Sequence, residues 1–149
     1  MNYLKKLFTT IALITAVSIT GCATVNDVVA AKETGKEGVI QEYDVTADQA
    51  WEIARTVFRW EGADAIEEHR SQGYMLTSSG MTLLTAGTVM GAWIEGGPPK
   101  TKVTVVTKRR MQTNFFTTLT EETFHKRFAQ GVRIIKSGQP LPRVAPPAQ

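Results

Sequence analysis

In the region between residues 39 and 138, the spacing of apolar residues first has the period of a strand and then that of a helix. Residues 39–45 alternate apolar and polar side chains well enough to predict a β-strand. The next apolar residues recur at steps of three and four, which places them on one face of a helix. They are Ala47, Ala50, Trp51, Ala54, Val57 and Phe58. Thr46 and Gln49 have the spacing of an N-terminal capping box, and Gly62 is suited to end the helix.

More strands are predicted after this helix. Residues 63–69 and 73–78 suit a hairpin, because the polar turn between them contains Gly73. An uncharged apolar segment follows, and we interpret it as a loop that leads into a core strand at about residues 88–95. Residues 100–111 give the clearest strand, since valine and threonine are frequent there.

A second amphipathic helix is predicted over residues 121–136. Its apolar stripe consists of Phe124, Phe128, Val132 and Ile135. Thr118 and Glu121 are spaced as another capping box, and Gly138 is suited to end the helix. The pattern therefore predicts an α+β fold over residues 39–138, with an antiparallel sheet of about four strands and two helices packed on one face.

The N-terminal residues have a different pattern. Lys5 and Lys6 precede an uncharged, mostly apolar run over residues 7–19, and small residues then lead to the single cysteine of the chain, Cys22. The apolar run is shorter than the roughly 20 residues that a membrane-spanning helix needs. This layout indicates an export signal rather than a membrane span.

Ile19-Thr20-Gly21-Cys22 resembles the lipobox of bacterial lipoproteins. The resemblance implies cleavage after Gly21, diacylation of the Cys22 sulfur and acylation of the new N-terminus, so the expected prosthetic groups are covalent acyl chains rather than a cofactor. Several acyl chains anchor a protein stably, whereas one chain binds a membrane only marginally. Position 23 is Ala rather than the Asp that resembles an inner-membrane retention signal in enterobacteria. In a Gram-negative host we therefore expect the periplasmic face of the outer membrane.

Four regions are expected. They are a signal peptide at 1–21, a flexible tether at 22–38, the α+β domain at 39–138, and a proline-rich, unpacked tail at 139–149. The helix start Thr46-Ala47-Asp48-Gln49-Ala50-Trp51 and the turn Arg70-Ser71-Gln72-Gly73-Tyr74 resemble those of small proteobacterial envelope lipoproteins with α+β domains, and distantly those of the repeated domains of BamC. This likeness implies a fold and a compartment, and it brings no catalytic residues.

Two surface features are candidates for contact with a partner or ligand. No charged residue occurs between Ser71 and Ile94. Within that stretch, the glycines, threonines and serines of segment 81–94 disfavour a transmembrane helix, and a short helix or a loop that contacts a protein or lipid are the alternatives to the loop that leads into the core strand. Lys108-Arg109-Arg110 suits anionic groups of the envelope, or simply a solvated strand end. The candidate contact residues are Met81, Leu83, Leu84, Trp93, Lys108, Arg109 and Arg110.

Several functions are disfavoured by composition and motif content. Removal of two lysines with the signal leaves 15 basic and 14 acidic residues, about +1, which lacks the basic footprint of a nucleic-acid binder. No phosphate loop, nucleophile elbow or zinc-protease motif occurs, so we do not expect an enzyme. Glu67 and His69 share one strand face but have no evident third ligand, so no metal is expected.

These observations favour a non-enzymatic interaction or scaffold lipoprotein that binds another envelope protein. The alternative is a carrier or sensor of an apolar or anionic envelope ligand, which would use the loop 81–94.

Overall fold

In the computed structural model, the described residues are 23–35, 37–63, 65–79, 87–97, 99–109 and 120–147. Five strands form one antiparallel sheet in the order β1-β5-β4-β3-β2. The elements are α1 (Val25–Glu33), β1 (Val39–Tyr43), α2 (Ala47–Trp60), β2 (Ala65–His69), β3 (Tyr74–Ser79), β4 (Thr88–Gly97), β5 (Lys100–Arg109) and α3 (Glu121–Lys136). The α+β class is confirmed, but the described part has five strands and three helices rather than about four and two.

Helix α2 begins and ends where its sequence predicts. Thr46 is the N-cap: its side chain accepts a hydrogen bond from Gln49 N at 3.2 Å, and the Gln49 side chain accepts one from Thr46 N at 3.0 Å. Gly62 follows the helix with φ +79°, a left-handed conformation that glycine adopts without strain. The predicted stripe is buried except for Ala47, which is exposed in the first turn; Ile53, which was not predicted, is buried with it, and these residues pack on the sheet.

The main core lies between the sheet and the helices α2 and α3. The ring centroids of Phe58 and Phe124 are 5.2 Å apart, and those of Phe124 and Phe128 are 5.8 Å apart. The helices approach closely because Gly131 has no side chain: a Cβ there would lie 2.7 Å from Ile53 Cγ2. The N-cap of α3 is Thr120, which accepts a hydrogen bond from Thr123 N at 3.1 Å, whereas the predicted cap at Thr118 lies outside the described residues.

Helix α1 corrects the expectation of a flexible tether at 22–38. Thr24 N donates to Asp27 Oδ2 at 2.6 Å at the helix start, and Val28 and Ala31 are buried on the opposite face of the sheet from α2 and α3. Gly91 permits this docking, because a Cβ there would lie 2.6 Å from the ring of Trp93 and 3.0 Å from Val28 Cγ1. The helix packs because a glycine in β4 leaves room for its valine.

The C-terminal residues also pack more than the expectation of an unpacked tail allows. Trp60 Nε1 donates to Pro142 O at 2.9 Å, and Arg127 Nη1 donates to Pro146 O at 2.7 Å. Leu141 contacts the main core. Proline has no N–H but keeps its carbonyl acceptor, and its fixed φ reduces the entropy lost when the segment is immobilised. A proline-rich segment can therefore be held by side-chain donors.

Strand β4 explains most of the uncharged stretch. It is central in the sheet, and residues 88–94 are all buried because α2 packs on one face of β4 and α1 on the other. When both faces of a strand are buried, apolar and polar residues need not alternate along its sequence. The core strand predicted near 88–95 is confirmed, while the earlier part of the apolar segment, at 81–86, lies outside the described residues. Within the described residues, no helix is long and apolar enough to span a membrane.

Candidate functional site

The structure describes three of the predicted contact residues. Trp93 is only 8% exposed and lies in the layer beneath α1, with its ring centroid 5.7 Å from that of Tyr74 and 6.0 Å from Lys32 Nζ. While α1 is docked, Trp93 is not available to a partner. Lys108 is half-buried and Arg109 is exposed. The remaining candidates, Cys22, Met81, Leu83, Leu84 and Arg110, lie outside the described residues.

Trp93 and the basic pair belong to different ends of the sheet. Trp93 is opposite Thr104, whereas Lys108 is opposite Val89 and Arg109 is opposite Thr88. At about 3.3 Å per residue, Trp93 is therefore more than 10 Å from the basic pair along the strands. The structure does not combine them into one site.

Helix α1 reaches the same end of the sheet as the basic pair. Val28 contacts the β4 backbone near Gly91, and Lys32 Nζ lies 3.0 Å from Glu95 Oε1, so α1 runs along β4 in the direction of the strand. Its first turn therefore lies towards Thr88. We call this end, made by the first turn of α1, Thr88 and Arg109, the α1 end of the sheet.

The charges at the α1 end are consistent with this placement. Hydrogen bonds from Thr24 are the main cause that lowers the pKa of Asp27, and the nearby Lys108 ammonium adds a smaller attraction. Lys108 also forms an ion pair with Glu37, which precedes β1. Among the described residues, Arg109 has no ion-pair or hydrogen-bond partner for its side chain. One cation at this end is therefore engaged within the protein, and the other is free to meet an external anion.

Chain connectivity places the described residues that flank most of the predicted contact residues at the α1 end. The segment that contains Met81, Leu83 and Leu84 joins the end of β3 to the start of β4, and Arg110 directly follows β5. Cys22 is two residues before Thr24, a distance of at most about 7 Å along an extended chain. Sequence reasoning found these residues separately, and the sheet register shows that their attachment points share one end.

The buried histidine is part of a structural contact. His125 is 2% exposed, and its Nε2 lies 3.1 Å from Val39 O, so Nε2 carries the proton and Nδ1 accepts one from the Tyr43 hydroxyl at 2.8 Å. Burial lowers the pKa of His125 and raises the pKa of Tyr43. The pair fastens the edge strand β1 to α3.

A second polar cluster lies around Glu68, at the other edge of the sheet. Its carboxylate accepts hydrogen bonds from Trp51 Nε1 at 2.8 Å and Arg70 Nε at 3.4 Å, and Arg55 Nη1 lies 3.4 Å away. The bond from Trp51 is the main cause that lowers the pKa of Glu68, and both arginines add to it. Each group in the cluster has a partner, so it holds β2 to α2. In the described part of the chain, no three His, Cys, Asp or Glu side chains are grouped to bind a metal.

Comparisons with known proteins give one distant similarity. No family model matches this chain, and no curated protein matches it. Among solved structures, the chain is similar to DynU16, a protein of the dynemicin biosynthetic locus, with 15% identity and a TM-score of 0.42. The match covers 70% of this chain and 48% of DynU16, so this chain matches only about half the length of that protein. A similarity of this size does not bear on function.

Proposed function

We propose that this protein is a lipid-anchored component of the bacterial cell envelope. Acyl chains on Cys22 hold it at the membrane, on the periplasmic face of the outer membrane, and it acts as a non-enzymatic interaction module for another envelope protein. The observation that carries the proposal is the position of α1. Because the helix starts three residues after Cys22 and packs on the sheet, an anchor at Cys22 would hold the domain directly at the membrane surface.

The charge at the α1 end supports this orientation. Arg109 and the half-buried Lys108 lie at the end from which the anchor leaves, where anionic headgroups would face them. Each basic residue near an anionic surface adds about 1 kcal/mol of attraction. Lys108 is already paired with Glu37, so Arg109 supplies most of this attraction. One such residue does not bind a protein to a membrane, but it helps to orient one that acyl chains already hold.

The edge strand β1 is the surface that suits a protein partner. Four of its five residues are exposed, and among the described residues the exposed large apolar side chains are Val39, Ile40 and Val144. Val39 is 41% exposed and Ile40 is 58% exposed, and both lie on β1. The opposite edge, β2, carries Glu67 and Glu68, and charges of this kind protect an edge strand from pairing. An extended segment of a partner is therefore expected to add to β1.

The alternative of a ligand carrier that uses the loop 81–94 is less well supported. Residues 88–94 form the central strand and are covered on both faces. Any such loop is limited to the residues before β4, and Trp93 is not part of it.

Metabolic labelling with an alkyne palmitate tests the anchor. We expect wild-type protein to incorporate the label and to sediment with membranes, and the variant Cys22→Ser to do neither. Membrane attachment of Cys22→Ser equal to that of the wild type would contradict the proposal.

Photo-crosslinking in intact cells tests the partner surface. A photoreactive amino acid at Ile40 is expected to capture a discrete envelope protein, whereas the same amino acid at Glu67, on the opposite edge, is the matched control. Capture of the same species from both positions, or from neither, would remove β1 as the binding surface.

A further inference from the structure

A groove of about 610 Å³ lies between α2 and the C-terminal segment. Its walls are formed by Glu52, Arg55, Thr56, Arg59, Leu141, Pro142 and Arg143. The volume is within the range of about 300–1,000 Å³ that is typical of small-ligand sites. Three guanidinium groups and one carboxylate line it, so its walls carry a net charge of two positive units.

Two of the three arginines are not neutralised by the protein. Arg55 and Arg59 are four residues apart on α2 and therefore share a face, where like charges repel each other. Arg55 is held by Glu68, with Nη1 3.4 Å from Oε1. Within the described residues, the side chains of Arg59 and Arg143 form no hydrogen bond or ion pair. The groove thus brings together cations that an external anion would stabilise.

The wall that carries Arg143 is fixed in place. The preceding residue, Pro142, accepts a hydrogen bond from Trp60 Nε1 at 2.9 Å, and Leu141 contacts the main core. Further along the segment, Arg127 Nη1 donates to Pro146 O at 2.7 Å. Because the backbone on both sides of Arg143 is held, a ligand would not have to immobilise this segment when it binds.

We propose that this groove binds a phosphate monoester group, carried either by a free small molecule or by a lipid headgroup. Guanidinium forks match phosphate oxygens with paired hydrogen bonds, and a dianionic phosphate offers three terminal oxygens to three arginines. A carboxylate offers only two oxygens and one charge. The proposal does not depend on the lipid anchor or on the partner surface at β1.

The test is an NMR titration of the mature protein, residues 22–149, in nonionic micelles. It follows the Nε–Hε signals of Arg59 and Arg143. Inorganic phosphate at pH 8, where it is dianionic, is expected to shift both signals with saturation, and added salt should weaken the binding. Arg59→Gln and Arg143→Gln should each raise the dissociation constant by about ten-fold or more, because a charge-assisted hydrogen bond is lost.

Two further variants separate a site from a general charge effect. Lys126→Gln removes one positive charge from α3, outside the groove, and should change the dissociation constant by less than about two-fold. Glu52→Gln removes the carboxylate from the wall and should tighten binding. Opposite effects of Glu52→Gln and Arg59→Gln are not expected if these residues only support the fold.

The source of the phosphate is separated by doping the micelles. If phosphatidic acid shifts the Arg59 and Arg143 signals while inorganic phosphate does not, and phosphatidylcholine has no effect, the ligand is a headgroup. Saturable binding of inorganic phosphate supports a free ligand. The proposal is overturned if neither probe shifts the two signals, if acetate shifts them as strongly as phosphate, or if Lys126→Gln weakens binding as much as Arg59→Gln.

Discussion

The two faces of the sheet are covered by unequal layers. One face carries α2 and α3, which together supply Trp51, Phe58, Phe124 and Phe128 to the main core. In the part of the chain that the structure describes, the other face carries only the nine-residue α1, which buries two small side chains, Val28 and Ala31. The first layer is thick and aromatic, and the second rests on the close fit between one helix and the strands beneath it. The difference indicates that α1 is the more easily released element, since local stability follows the buried apolar contacts.

The largest effect is expected from Phe124→Ala, in the thick layer. Phe124 is fully buried between Phe58 and Phe128, so the substitution removes apolar contacts and leaves a cavity. We expect it to lower the free energy of unfolding by about 3–5 kcal/mol, measured by urea denaturation. Val144→Ala, at a side chain that is 79% exposed, is the control and should change stability by less than about 0.5 kcal/mol. A loss below about 1 kcal/mol for Phe124→Ala would show that this face is not the main core.

Gly91→Ala tests the thin layer. The added methyl would lie 2.6 Å from the Trp93 ring and 3.0 Å from Val28 Cγ1, so the ring, the helix or both must move. Overpacking of this kind costs about 1–3 kcal/mol. Hydrogen exchange should become faster in α1 and stay slow in α2.

Gly97→Ala is the matched control in the same strand, because nothing lies within 4 Å of a Cβ at that position. Equal acceleration of exchange in α1 and α2 by Gly91→Ala would mean that the two layers unfold together.

His125 should make stability depend on pH at the joint between β1 and the thick layer. Burial holds its pKa below the ordinary 6.5, so the unfolded chain binds more protons than the folded protein. Stability is therefore fully present above pH 6.5 and is lost as the pH falls below it, by at most about 1.4 kcal/mol per pH unit. Carboxylates with lowered pKa values add their own loss only below about pH 4.5.

Urea denaturation between pH 7.5 and 5 measures this dependence (about the range in which a histidine titrates). The variant His125→Gln should be less stable overall and should show a flatter pH profile than the wild type. A wild-type profile that rises towards low pH would contradict the neutral state assigned to His125.

The smallest effect is expected from Lys32→Met at the end of α1. Lys32 Nζ lies 3.0 Å from Glu95 Oε1, and Lys102 is a second partner of the same carboxylate. Because the pair is partly exposed, its loss should lower stability by less than about 1 kcal/mol, and by less still at high salt. Lys126→Met, which breaks an exposed pair with Glu122 on α3, is the control. If Lys32→Met releases α1 completely, the helix is held by charge rather than by Val28.

The thick layer was predictable from sequence and the thin layer was not, for a physical reason. In α2 the caps and the apolar residues agree over fourteen positions, so local pattern alone identifies the helix. In α1 the polar residues that follow suggested a solvated segment, and the helix is stabilised by Gly91, which is distant in sequence. A glycine that makes room for another element leaves no periodic signal. Strand β4 was hard to identify for a different reason. Both of its faces are buried, so apolar and polar residues do not alternate along it.

The candidate sites also include some that the sequence pattern could identify and one that it could not. Lys108 and Arg109 were identified from a short run of charge on a strand end, and the exposure of Arg109 follows from that position. The groove was not identified, because Arg143 belongs to a segment that its prolines suggested was unpacked. The hydrogen bond from Trp60 to Pro142 O and the packing of Leu141 on the main core bring that arginine beside α2. For Trp93 the sequence was misleading. An aromatic residue in an apolar stretch suggested a contact surface, but its side chain is covered by α1.

The strand pairing has a consequence for the order in which the protein can assemble. Among the described strands, β1 pairs only with β5, and α1 packs on β4 and β5. The N-terminal elements therefore depend on strands that lie much later in the chain. Closing such long loops costs entropy before any contact compensates for it, which slows folding. Strand β1 and helix α1 therefore reach their final positions only once residues 100–109 are available.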